Sequence, residues 1–215
     1  MDLLNLYKKC LSAKYNTVEN QGDYAIKQIG TKLYLYFEWS DGATDWKNNF
    51  DFPAKPYKDM GTTWFCHRGF LKVWKSIEPY VKSAIMKPTV KSVTVVGYSH
   101  GAAIATLCHE YVWFNRPDLR EKLDGYGFGA PKVFWGYMNE ELKERWANFH
   151  PVRNLNDLVT CMPPALFGFR HVNDVIKIGK KDKFAKKNYK LDCINAHMPE
   201  NYIYSMEENN DREDE

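Results

Sequence analysis

Several things are scarce in this chain, and each scarcity removes a class of function. None of its 215 residues belong to an apolar run approaching the ~20 needed to cross a bilayer, so a membrane-spanning protein is not expected. Lys and Arg number 30 against 27 Asp and Glu, a net charge of +3, which gives no global case for nucleic-acid binding. The five cysteines (Cys10, Cys66, Cys108, Cys161 and Cys193) are odd in number and scattered, unlike a disulfide framework. Free thiols in a reducing compartment are the expectation. The start, MDLLNLYKKCLSAKY, lacks the basic, apolar and small-residue regions of a signal peptide. Together these point to a cytoplasmic protein. Cys66-His67 and Cys108-His109 are adjacent pairs whose side chains diverge on a strand or helix, so neither offers two ligands to one metal. No metal and no organic cofactor is expected.

A hydrophobic fraction of 44% and a charged fraction of 27% suit a globular chain, and the length suits one domain spanning 1–215. Aromatics reach 15%, enough for a rich core. The pattern predicts a short helix over 2–13 and strands over 24–29 and 32–38 across a turn at Gly30-Thr31. A long loop should cover 39–63. Apolar spacing marks a helix over 70–86, which Pro79 either kinks or breaks. A buried strand at 92–96 should lead to a helix at 101–114. Strands are expected at 125–130 and 148–155 around a helix at 137–147, then at 171–178 and 201–206. Residues 177–190 carry seven Lys and one Asp; a solvated hairpin is the plain reading, a patch for anionic lipid or another acidic partner the functional one. The acidic end, 207–215, reads as a frayed tail.

The stretch 93-VTVVGYSHGAAIAT-106 carries the chemistry. Gly97-Tyr98-Ser99-His100-Gly101 fits G-x-S-x-G between a strand and a helix. A sharp turn there pushes the Ser99 hydroxyl outward, and the helix N-terminus behind it supplies N–H groups and positive potential. The plain alternative is a serine capping its own helix. A nucleophilic serine needs a base, and the base an orienting acid, in chain order Ser, acid, His. Of six histidines, His67 precedes the elbow, His100 and His109 lie in it or its helix, and His150 precedes the acid candidates. His171 and His197 remain. His197, in the loop 193-CINAHMPENY-202, is preferred to His171, which starts a β-like run. Asp157, in a loop after a strand, is preferred to Asp174 and Asp192.

Seven stretches, in order, then carry a family resemblance: the strand ending at Ser40, 67-HRGF-70, 97-GYSHG-101, 127-GFGAPKV-133, 154-NLNDLVTCMPP-164, 169-FRHVND-174 and 197-HMPENY-202. The chain resembles the class 3 lipases, the fungal triacylglycerol lipases and feruloyl esterases of the α/β-hydrolase superfamily. The resemblance implies a central, mostly parallel sheet flanked by helices and the triad Ser99, Asp157, His197. It also implies oxyanion-hole donors at the backbone N–H of Ser40 and His100, structural roles for His67 and His171, and a lid-like loop at 41–60. The strand ends Glu38-Trp39-Ser40 where the family usually has Arg-Gly before Ser or Thr. The implied partner is an ester or lipid substrate, met in transient contact with a lipid surface, by a chain taken as a monomer. The implied reaction is hydrolysis of carboxylic esters, with phospholipase, acyltransferase or thioesterase activity as alternatives on the same triad and an inactive binding module as the remaining one.

Overall fold

In a computed structural model, the protein is described over residues 2–18, 22–38, 53–58, 61, 63–179 and 193–210. Seven strands form the main sheet: β1 (Asn16–Val18), β2 (Gly22–Ile29), β3 (Lys32–Phe37), β6 (Ser92–Tyr98), β7 (Leu123–Phe128), β9 (Phe149–Asn154) and β11 (Ile176–Ile178), in spatial order β1-β2-β3-β6-β7-β9-β11. The hairpins at β1-β2 and β2-β3 are antiparallel; from β3 to β11 every pair is parallel. A smaller antiparallel sheet orders β10 (Phe169–Arg170), β8 (Phe134–Trp135), β5 (Trp64–His67) and β4 (Ala54–Tyr57).

Strand alternation divides the core in two. Leu33, Leu35, Phe37, Val93 and Val95 face helices α2 (Arg68–Ile85) and α3 (His100–Asn115). Tyr36, Val96, Tyr98 and Phe128 face the other side, where α1 (Leu3–Leu11) and α5 (Pro199–Asn210) pack. The remaining helix, α4 (Glu140–Arg145), sits beside α3. Parallel strands buried on both faces read as β-branched runs, which is why β6 stands out in the sequence. Residues 100–112 of α3 are all buried, because the sheet, α2 and α4 enclose it.

Several expectations change. Helix α2 runs through Pro79 without a break and buries Phe70, Val73, Trp74, Ile77, Val81 and Ile85 on one stripe. The strand expected at 201–206 is instead part of α5: Pro199 opens the helix, Glu200 sits in its first turn, and Tyr202, Ser205 and Met206 form a buried helical face. Within 171–178 only Ile176–Ile178 are strand. The loop expected at 39–63 contains β4, which pairs Ala54–Tyr57 with Trp64–His67. The rest of the lid-like stretch (41–52 and 59–60), the Lys-rich segment from 180 onward, and 211–215 of the acidic tail lie outside the described residues. Among the described residues, no helix is long and apolar enough to cross a membrane.

Candidate active site

Strand β6 delivers Ser99 into a backbone conformation of φ 56° and ψ −124°, which a non-glycine residue adopts only when its surroundings force it. The forcing is visible on both sides. A Cβ on Gly97 would lie 2.2 Å from the Gly101 carbonyl oxygen, and one on Gly101 would lie 2.2 Å from that of Phe37. Only glycine lets helix, elbow and β3 approach so closely. The Ser99 N–H donates to the Phe128 carbonyl at 2.8 Å, tying the turn to β7.

Ser99 stands at the N-cap of α3, yet its hydroxyl makes no capping bond. Its Oγ lies 2.8 Å from Nε2 of His197. Nδ1 of His197 lies 2.8 Å from Oδ2 of Asp157. The buried carboxylate can only accept when ionised, so the network assigns the ring proton to Nδ1 and leaves Nε2 to accept the Ser99 hydroxyl. Asp157 is fully buried in the loop after β9; Oδ1 accepts the Val159 N–H at 2.9 Å and Oδ2 the Tyr202 hydroxyl at 2.6 Å. His197 follows a short helical turn at 193–195. Its N–H donates to the Ile194 carbonyl at 3.0 Å, and its ring stacks on Tyr98 at a centroid distance of 5.3 Å. The Tyr98 hydroxyl donates to the His197 carbonyl.

The structure thus brings Ser99, His197 and Asp157 into one hydrogen-bonded chain, and separates the rivals. His171 donates from Nε2 to the Thr160 carbonyl at 2.8 Å, and burial lowers its pKa to about 4. Asp174 is exposed, and Asp192 lies outside the described residues. His67 caps α2, its Nδ1 accepting the Phe70 N–H at 3.3 Å. The His100 ring is buried against Phe70, where burial and then His67 lower its pKa to about 4. As the first residue of α3, His100 has no helical acceptor for its backbone N–H. Ser40 lies outside the described residues. Sequence reasoning misses Tyr98 and Tyr202 as partners of His197 and Asp157. Tyr98 sits in plain view inside the elbow; Tyr202 emerges only if Pro199-Glu200 is read as a helix start.

The family model described as lipase (class 3) matches residues 34–167. A secreted mono- and diacylglycerol lipase of Fusarium solani is 31% identical over 134 residues, covering 60% of this chain and 38% of that protein. A secreted mono- and diacylglycerol lipase of Malassezia globosa is 25% identical over 178 residues, covering 77% and 55%. The chain therefore spans about 38–55% of the length of these two relatives. Among solved structures, the triacylglyceride lipase of Rhizomucor miehei superposes with a TM-score of 0.64 at 22% identity, over 78% of this chain and 66% of that one. The mono- and diacylglycerol lipase of Aspergillus oryzae gives 0.61 at 21%, over 79% and 64%. The architecture is the α/β-hydrolase fold.

These relatives correct the expectation of a cytoplasmic protein: two are named as secreted, which points outside the cell. Four of the five thiols behind that expectation are shielded and do not report on compartment; the fifth, Cys161, is half-buried. Cys10, Cys66, Cys108 and Cys193 are buried, and burial pushes Cys10 up to about 12 and Cys66 and Cys108 upward as well. A shielded, protonated thiol resists oxidation wherever the protein resides.

Proposed function

Because the chain belongs to the class 3 lipase family, we propose that it hydrolyses lipid carboxylic esters through a serine acyl-enzyme, with Ser99, His197 and Asp157 as the catalytic triad. The observation that carries this reading is the pair of 2.8 Å hydrogen bonds running Ser99–His197–Asp157 at a strained elbow. His197 Nε2 takes the hydroxyl proton as Ser99 Oγ bonds to the ester carbonyl carbon. Asp157 holds the imidazole in the required tautomer and stabilises its cation. The His100 N–H donates to the oxyanion at the positive end of α3. The tetrahedral adduct collapses, and His197 protonates the departing alcohol. A water molecule, deprotonated by His197, then attacks the acyl-enzyme and releases the acid and Ser99.

A lipid rather than a polar ester is supported by the residues flanking the triad. Leu158, next to Asp157, and Ile194, whose carbonyl holds the His197 N–H, are both exposed, as are Leu166 and Phe167 farther along the Asp157 loop. An inactive binding module has no need of an ordered Ser–His–Asp chain with an uncapped hydroxyl.

The test is hydrolysis of p-nitrophenyl esters from acetate to palmitate by the wild type and Ser99→Ala. Activity that rises with acyl length and vanishes in the variant is the expected result. Equal background from both proteins at every chain length overturns the proposal.

A further inference from the structure

We propose that Tyr202 is a positioning residue for the base: through Asp157 it sets the orientation and basicity of His197. The inference rests on the hydrolase reading above. Its hydroxyl donates at 2.6 Å to Oδ2 of Asp157, the same oxygen that takes the His197 Nδ1–H at 2.8 Å. It also accepts the Asn154 N–H at 3.1 Å, so the hydroxyl is fixed between β9 and the carboxylate. Tyr202, Asp157 and Asn154 are each fully buried, so no water competes for these bonds. With the Val159 N–H on Oδ1, the carboxylate has three donors among the described residues, and only one of them is His197. Each donor takes a share of the negative charge that would otherwise hold the imidazolium.

The other described titratable groups around the pair include two tyrosines and a glutamate. Tyr98 of β6 lies against the His197 ring, and Tyr7 of α1 packs against both Tyr98 and Tyr202. Glu200, in the first turn of α5, acts on Tyr98. Burial, and then the Asp157 charge, drives the Tyr202 pKa far upward, so it stays a neutral donor throughout the working pH range.

Tyr202→Phe keeps the ring and removes the O–H. Asp157 then holds the imidazolium more strongly, and is itself more readily protonated. Both effects move the acid limb of the kcat/KM profile to higher pH. With a chromogenic ester, Tyr202→Phe should lower kcat about tenfold and leave KM within about twofold, with the acid limb displaced upward. Replacing Tyr202 by 3-fluorotyrosine, a more acidic donor of nearly the same shape, should move the limb to lower pH and serves if the phenylalanine variant does not fold. The His197 Nδ1–H proton, observed by NMR at low field, follows the same order without any substrate, which keeps the inference separable from the identity of the reaction. Opposite displacements for the two Tyr202 replacements support the proposal. A limb and an N–H resonance that stay put in both, whatever happens to Tm, overturn it.

Discussion

Gly129→Ala tests whether the site depends on sub-ångström placement of His197. Gly129 follows β7 with φ +60°, and a Cβ there would lie 2.8 Å from Cε1 and 3.1 Å from Nδ1 of His197, and 3.3 Å from Oδ2 of Asp157. Ordinary carbon contacts are about 3.5–4.0 Å, so the ring must retreat by roughly 1 Å. It has little freedom to do so, because Tyr98 stacks on it and holds its main chain. A misplacement of about 1 Å costs about 10²-fold in rate. The left-handed backbone adds strain of about 1–2 kcal/mol for alanine, which lowers the Tm by a few degrees in a chain of this size. Gly30→Ala separates the two effects. Its φ is +58° with nothing within 4 Å of the new Cβ, so it carries the backbone strain and spares the base. The assay is kcat and KM on p-nitrophenyl butyrate beside thermal unfolding. Gly129→Ala should lose about 10²-fold in kcat, and Gly30→Ala should lose only stability. A folded Gly129→Ala enzyme with a kcat within about threefold of wild type refutes the geometry, because the clash would then have relaxed without displacing the base.

Acid should destabilise the fold through histidines buried in their neutral form. Burial lowers His171 and His100 to about 4 and His109 to about 3, from 6.5 in the unfolded chain. Their folded pKa values are depressed, so the stability they confer is present above about pH 6.5 and lost as pH falls toward 4, by up to about 1.4 kcal/mol per pH unit each. His171→Gln keeps a donor for the Thr160 carbonyl and should flatten urea-unfolding stability against pH by one such share; an unchanged slope counts against the assignment. Arg116→Met should destabilise by about 2–4 kcal/mol, because the Arg116 guanidinium donates to the carbonyls of Ile85, Lys87 and Val90. It lies at the far end of α3, about 26 Å from Ser99 by helical rise, so kcat of the folded enzyme should not change.

Elements shaped by local forces are legible in the sequence itself. β6, the elbow and α3 are adjacent along the chain, and the two glycines and the β-branched run have a single joint explanation. The stripe Phe70–Ile85 is readable too, but its continuity is not. Pro79 loses its N–H at one point, while buried apolar residues lie both before and after it and hold α2 together. The segment at Tyr202 misleads for a different reason. Asn201-Tyr202-Ile203-Tyr204 is rich in β-formers and alternates weakly, so local preference favours a strand. Burial of Tyr202 and Met206 with α1 residues such as Leu6, Tyr7 and Cys10 decides for helix. β4 is hidden because Lys55 and Pro56 are poor strand residues and only the partner β5 makes them one.

The same division runs through the site. Chain order reduces six histidines to two, because order is a property of the sequence. Separating His171 from His197 is a question of space: the His171 ring faces a main-chain carbonyl, the His197 ring a serine hydroxyl and a carboxylate, which is what supports His197 as the proposed base. The tyrosines are invisible for a further reason. A hydroxyl has no role until its partner is known, and the partner of Tyr202 is a carboxylate 45 residues earlier in the chain. Hydroxyls that are fully buried and bonded to a reacting group's own partner are where residues of this kind are found. By that criterion Tyr202 stands closer to the chemistry than His171, although the sequence offers the histidine as the candidate.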